Sequence, residues 1–452
     1  MVDRAIDACR AAGVKDVMAV VSPLQPQLAA HLERSCTVLY QAEMRGTGDA
    51  VRQVPEERLG AGDVLVLNGD QPLFRGETVA GLIEAHRRAG AAATLATVLD
   101  RSRPDGRVIR TSDGAFDRIV EHKDATSEER ACHEINTGLY CFRGPDLVAA
   151  LRRLRPDNAQ GEYYLTDVFR MLRPVEVVRV DDPDEGLGIN DRVQLATAEA
   201  ALRRRVLTDL MRAGVTVVDP STTYVEPGVR VGCDSVLEPM SVLRGRTVIG
   251  ERCRIGPCAD ITDSVLEDDV AVTRSWLQGA RMGRGSDCGP YSKLRPGTEI
   301  AAGVHVGSFA ELVRSRVGAG SKVPHVSYLG DTTVGERVNV AAGTITANYD
   351  GMAKNPTVIE DDVFIGVDTM LVAPVRVGAG SRTGAGAVVT RDVPPGATAV
   401  GMPARVVRRS GATHDRPPTP VENLPGLDRG DVRTGQVPHP REGEGSSEEE
   451  SP

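Results

Sequence analysis

Large rings are scarce in this chain. Aromatic residues make up 3% of its 452 positions, with 6 Phe, 8 Tyr and 1 Trp. A core with so few rings must be filled by Val, Ile, Leu and Ala, which suits regular stacked β architecture better than an irregular sandwich. There is no apolar run of about 18 residues and no charged-then-apolar pattern at the N-terminus, so neither a membrane span nor export is expected. Basic blocks are missing too: 54 Lys and Arg stand against 63 Asp and Glu, a net charge of −9. A nucleic-acid binder needs a basic face to release phosphate counterions, so that class is set aside. The eight cysteines, at 9, 36, 132, 141, 233, 253, 258 and 288, include no CxxC with a matching second pair. This argues against structural zinc and for reduced thiols in a soluble, cytoplasmic protein.

The length exceeds what one core usually holds, and the pattern changes along it. Helical and extended stretches alternate over residues 1–190: a helix from Met1 to Ala12 stopped by Gly13, strands at Val17 to Val21, Thr37 to Tyr40, Val64 to Leu67 and Ala93 to Val98, and a helix from Glu77 to Arg88. Strands separated by helices predict an α/β domain with a mostly parallel sheet. An Ala-, Leu- and Arg-rich helix from Gln194 to Met211 then links to different territory, so residues 191–215 are read as a linker.

From about Tyr224 a six-residue step takes over. Ile359, Ile365, Leu371, Val377, Thr383 and Val389 keep it, with small or β-branched residues four places on at Val363, Thr369, Val375, Ser381 and Ala387. Val236, Val242 and Val248, and then Ile249, Ile255 and Ile261, repeat it. A period of six is neither helical nor a hairpin alternation. It fits a solenoid over 216–408 whose triangular coils take three hexapeptides each, with the apolar residue pointing inward. Beyond Arg409, Pro, Gly, Ser, Asp and Glu dominate, and a disordered tail is expected over 409–452.

Several stretches are more specific. They are Gln41-Ala42-Glu43 with Arg45-Gly46-Thr47-Gly48, Gly69-Asp70, Ile119 to Ala125, Glu134 to Gly138, Asn158 to Tyr164, Leu294-Arg295-Pro296-Gly297, and Asn339 to Gly351. In order and spacing they resemble the bacterial bifunctional N-acetylglucosamine-1-phosphate uridyltransferase/glucosamine-1-phosphate acetyltransferase family. The resemblance implies an α/β nucleotidyltransferase (Rossmann-like) domain, shortened at its N-terminus, followed by a left-handed parallel β-helix. That handedness is an exception to the usual right-handed crossover. It also implies a homotrimer acting on glucosamine-1-phosphate, acetyl-CoA and UTP, with Mg²⁺ in the nucleotidyltransferase domain.

Acetyl transfer needs a base for the sugar amine, donors for the oxyanion and cations for the phosphate. By resemblance His325 is the base, Arg295, Tyr328, Asn339 and Lys354 contact the sugar phosphate, and Ala342, Asn348, Tyr349 and Ala385 meet acetyl-CoA. Three places depart from the family pattern. Val313 stands where the family has a lysine and is followed by Arg314, Val367 replaces a frequent serine, and Gly401-Met402-Pro403-Ala404 resembles a general hexapeptide acyltransferase terminus. Two other readings therefore stay open: an acyltransferase for another amino-sugar phosphate, and a non-catalytic trimeric scaffold.

Uridylyl transfer joins two anions, so metal and cations must offset their repulsion. By resemblance Asp70 and Asn190 hold the metal, Gln41, Gly46 and Thr47 contact uracil, and Gly106, Glu121, Asn136 and Asn190 bind the nucleotide sugar. The family's glycine-rich loop, whose amides cradle the triphosphate, is not found before Met1. The chain as written is thus expected to be a poor uridyltransferase, whereas a start codon lying further upstream would make the natural protein bifunctional.

Overall fold

The computed structural model describes residues 1–409 apart from Ala159, so the tail expected from 409 lies, but for its first residue, outside the described residues. The first part contains α1 (Val2–Ala11), β1 (Met18–Val21), α2 (Pro26–Leu32), β2 (Thr37–Tyr40), α3 (Thr47–Arg52), α4 (Glu56–Leu59) and β3 (Asp63–Leu67). It continues with α5 (Gly76–Ala89), β4 (Ala93–Leu99), β5 (Arg107–Arg110), β6 (Phe116–Val120), α6 (Ser127–Arg130), β7 (Glu134–Arg143), α7 (Gly144–Arg153) and β8 (Val175–Arg179). Helix α1 turns Ala5, Ile6, Ala8 and Cys9 inward, and α5 ends at Gly90 in the left-handed conformation that suits a glycine cap.

The sheet differs from the mostly parallel one expected. β1 pairs with β2 and β4 with β8 in parallel, but β7 runs antiparallel to β3, β4 and β5. Ten residues long, β7 lies along β4 on one side and borders β3 and β5 on the other. Three of the few phenylalanines, Phe116, Phe142 and Phe169, cluster with Tyr140 beneath this sheet, ring centres 5.2–6.0 Å apart.

Helix α8 (Arg192–Arg212), capped by the Asp191 side chain on Gln194 N, leads to the solenoid. Three sheets of 10, 9 and 12 strands, parallel except for the final strand of the last, Arg405–Arg409, which runs antiparallel to Ala397–Val400, form the sides of a left-handed prism. Strands of two or three residues predominate, so each has room for only one or two inward residues. One such file runs Leu243, Ile261, Leu277, Leu294, Leu312, Leu329, each the register partner of the next and each wholly buried. The six-step Ile359 to Val389 is buried throughout, as expected. The step Val236, Val242, Val248 is not: these residues face outward and Leu237, Leu243 and Ile249 point in. Neighbours on a strand take opposite faces, so a period of six is shared by both files and cannot tell them apart.

Corners carry buried Ser and Thr that tie coil to coil. Ser235 Oγ donates to Gly250 O at 2.9 Å and accepts from Cys253 N at 2.9 Å; Ser321 does the same with Gly335 O and Val338 N. Most register partners are 16 to 18 residues apart, but Thr346 pairs with Leu371 because the chain leaves the prism between Ala347 and Thr357. Among the described residues no helix is long and apolar enough to cross a membrane.

Candidate active sites

His325 ends a strand of the 12-stranded sheet, with its side chain exposed where that sheet turns into the 10-stranded one. The coils stacked beyond it bring Ala342, Val367 and Ala385 to the same corner. Gly343 N donates to Val326 O at 2.9 Å, Asp368 N to Ala342 O at 2.8 Å and Gly386 N to Val367 O at 2.8 Å. Residues 17, 25 and 18 places apart thus form one file leading away from the imidazole, stepping ~4.8 Å per coil. Small residues leave its backbone open to a long ligand, and exposed Val367 makes one step apolar.

Two sheets divide the remaining candidates. Tyr328 stands on the 10-stranded sheet and Arg295 directly follows its strand Lys293–Leu294, where Arg295 Nη1 donates to Glu311 Oε1 at 3.0 Å. Asn339 stands on the 12-stranded sheet between Lys322 and Phe364. Asn348, Tyr349 and Lys354 lie on the excursion after Ala347, where Tyr349 bridges Lys354 and its hydroxyl donates to Gly351 O at 2.7 Å. Tyr328 Oη and Asn348 Nδ2 converge above Gly330: a Cβ there would meet them at 2.8 and 2.5 Å.

Val313 holds an outward strand position opposite Gly330 yet is 3% exposed, so a short apolar side chain fills the place where the resemblance leads us to expect a cation. Arg314 does not take over that place. It sits at the corner with φ 47°, and its guanidinium grips Asp331 from Nε at 2.6 Å and Nη2 at 2.8 Å. Asp331 also accepts from Asn348 Nδ2 at 2.6 Å, and its carboxyl is held below the usual range, first by Arg314. The sequence reading missed this pair. The only available signal was position, since Asp331 directly follows the Lys322 to Gly330 stretch.

In the α/β domain the backbone brings Asp70 and Asn190 together: Ile189 N donates to Asp70 O at 3.1 Å, and a Cβ on Gly188 would lie 3.6 Å from Asp70 Oδ2. Burial and the neighbouring Asp105 charge raise the Asp70 carboxyl above its ordinary value. Glu121 is raised in the same way, by burial first and then by Asp167, Asp105 and Asp124, while Thr166 Oγ1 donates to it at 2.9 Å. Asn136 Nδ2 donates to Tyr140 Oη at 2.6 Å, and Asn136 N donates to Gly106 O at 2.8 Å. Gln41 Nε2 reaches Gly46 O at 3.1 Å and Asp49 Oδ2 at 2.8 Å, and Thr47 Oγ1 accepts from Leu165 N at 3.1 Å. Gly46, at φ 103°, lies so close to Tyr163 O that a Cβ would be 2.7 Å away. Crowded carboxylates suit a divalent cation. Among the described residues no three or more His, Cys, Asp or Glu gather as a metal cage.

Residues 1–170 match the model of the MobA-like NTP transferase domain, and residues 356–391 match six repeats of the bacterial transferase hexapeptide. The chain is 44% identical over 411 residues to the Bifunctional protein GlmU of Carboxydothermus hydrogenoformans, covering 90% of this chain and 92% of that one. It is 47% identical over 415 residues to the protein of the same name from Rubrobacter xylanophilus, covering 90% and 88%. The Heliobacterium modesticaldum protein of that name is 45% identical, covering 88% and 89%. With a nucleotidyltransferase domain ahead of a hexapeptide prism and such identity along nearly the whole of its relatives, this chain belongs to the GlmU family of bifunctional uridyltransferases and acetyltransferases.

Proposed function

We propose that acetyl transfer takes place at the corner bearing His325, in a cleft completed by a second copy of the chain within a homotrimer. The observation that carries this reading is the file from His325 through Ala342, Val367 and Ala385, an open backbone track that ends at an exposed imidazole. Acetyl-CoA would lie along the track with its thioester at the imidazole. His325 takes a proton from the glucosamine-1-phosphate amine, the nitrogen attacks the thioester carbon, the C–N bond forms, and the C–S bond breaks to release the coenzyme thiolate. Arg295 and Lys354 meet the sugar phosphate, with Tyr328 and Asn339 on the sugar.

The threefold assembly is supported by the division of sugar-binding candidates between two sheets. It is also supported by an exposed apolar ridge of Tyr291, Phe309 and Val326 beside His325, the two rings stacked at 5.2 Å. Flat-sided prisms pack well around a closed axis.

For uridylyl transfer, Asp70 and Asn190 would hold Mg²⁺, which when bound offsets the charge of the reacting phosphates. Gln41, Gly46 and Thr47 would seat the uracil, and Gly106, Glu121 and Asn136 the sugar of N-acetylglucosamine-1-phosphate.

The deciding experiment replaces His325 with Ala and follows acetyl-CoA consumption with glucosamine-1-phosphate. A loss on the order of 10²–10⁴-fold is expected of a general base. Unchanged turnover removes His325 from the mechanism. Buried Val313 favours one second reading, an acyltransferase for a different amino-sugar phosphate. Faster turnover of another member of an amino-sugar phosphate panel would select it.

A further inference from the structure

The excursion between Ala347 and Thr357 carries Asn348 and Lys354, yet much of its bonding is internal. Asp350 accepts from Met352 N at 2.8 Å, Ala353 N at 2.7 Å and Asn355 Nδ2 at 2.8 Å, which shapes the loop without fixing it to the prism. Asp331 supplies ties to the prism at both ends. Its carboxylate accepts from Asn348 Nδ2 at the start, and its carbonyl accepts from Thr357 N at 3.2 Å at the finish. Asp331 is itself held twice: its N–H donates to Val313 O at 3.1 Å, and Arg314 clamps both carboxylate oxygens. A two-pronged guanidinium–carboxylate contact fixes orientation as well as distance.

We propose that Asp331, clamped by Arg314, is a positioning residue that orients the Asn348 amide and holds the 348–356 loop so that Lys354 meets the sugar phosphate. The inference rests on the acetyl-transfer reading for the roles of Asn348 and Lys354, whereas the loop anchoring is independent of it. With Nδ2 committed to the carboxylate, Asn348 turns its amide oxygen away from Asp331. Gly330 leaves room for this arrangement, because Asn348 and Tyr328 occupy the space a side chain there would need.

Charge and position make opposite predictions. Asp331 is an anion close enough to Lys354 for the ammonium to help hold its carboxyl ionised. If only charge mattered, Asp331→Asn would strengthen attraction for a phosphate and lower KM for glucosamine-1-phosphate. If Asp331 positions the loop, KM rises in spite of the gained positive charge.

The test uses the full chain as Asp331→Asn, Arg314→Ala and Arg314→Lys. Amide hydrogen exchange at Thr357, which donates to Asp331, reads the anchoring, exchange at Met352, Ala353 and Asn355 reads the order of the loop it holds, and steady-state kinetics read its use. Expected are exchange at least about fivefold faster in Asp331→Asn and Arg314→Ala, KM for glucosamine-1-phosphate up about tenfold with kcat within about threefold, and a smaller change in Arg314→Lys. Unchanged loop exchange, or a KM that falls, overturns the proposal. Should wild-type protein fail to acetylate glucosamine-1-phosphate, the functional reading falls and exchange still decides the anchoring. Should Asp331→Asn fail to fold, the two Arg314 variants decide.

Discussion

Asn339 and Tyr328 stand on different sheets of the same prism. Asn339 lies between Lys322 and Phe364 in the 12-stranded sheet, and Tyr328 between Glu311 and Ile345 in the 10-stranded one. Side chains on two faces of one convex body point away from each other. Two such residues can share a sugar if one face of a chain meets the other face of its neighbour.

Mixing tests this division. Asn339→Ala and Tyr328→Phe homo-oligomers should each be weak acetyltransferases. Trimers assembled at random from equal amounts of the two would contain about a quarter of sites with both faces intact, because each cyclic interface takes one face from each neighbour. Activity near that fraction after co-refolding is expected. A mixture no better than the sum of its parts would place both residues in a site within one chain.

Gly330→Ala should damage catalysis more than folding. The added Cβ meets Asn348 Nδ2 at 2.5 Å and Tyr328 Oη at 2.8 Å, so those groups must move. A displacement of this size costs on the order of ten- to a hundredfold in acetyl transfer. Thermal unfolding should shift little, because Leu329 and Thr346, the inward residues beside it, are untouched. Acetyl transfer within a factor of two of wild type would contradict the convergence.

Glu121 gives a prediction with a definite sign. Its carboxyl is raised by burial, so between the ordinary value of 4.5 and the raised one the folded state binds more protons than the unfolded state. Stability contributed here is present below about pH 4.5 and is lost as pH rises through the folded value. Glu121→Gln keeps an oxygen acceptor for Thr166 and removes the buried charge. At pH 7 it should raise the melting temperature of the α/β domain and flatten its fall with pH, while uridylyl transfer declines if the carboxylate binds the sugar. A lower melting temperature at pH 7 would show that the charge is stabilising.

Much of this fold was legible because its physics is periodic. A file such as Ile359 to Val389 repeats the same burial on coil after coil, and α1 ends just ahead of Gly13, the glycine expected to stop it. What stayed hidden was local. The valines at 236, 242 and 248 keep the same step as their inward neighbours, so period alone gave them the wrong face. Strand β7 also read like any other strand, and its antiparallel course against β3 and β4 is set by partners 35 to 80 residues away. The Arg314–Asp331 clamp escaped notice because residues 17 apart in sequence become neighbours only once the coil length is known.

The hydroxyl ties at the corners make coil length the natural measure of this molecule. Each turn is fastened to the next by similar local bonds, so gaining or losing one whole turn would leave the remaining joints intact. Tolerance should end at the stretch from Arg295 to Ala385, where the phosphate-binding arginine, the imidazole, the open track and the tethered excursion must keep fixed steps from one another. Upstream of it the shaft acts as a spacer; within it the count of turns works as a ruler.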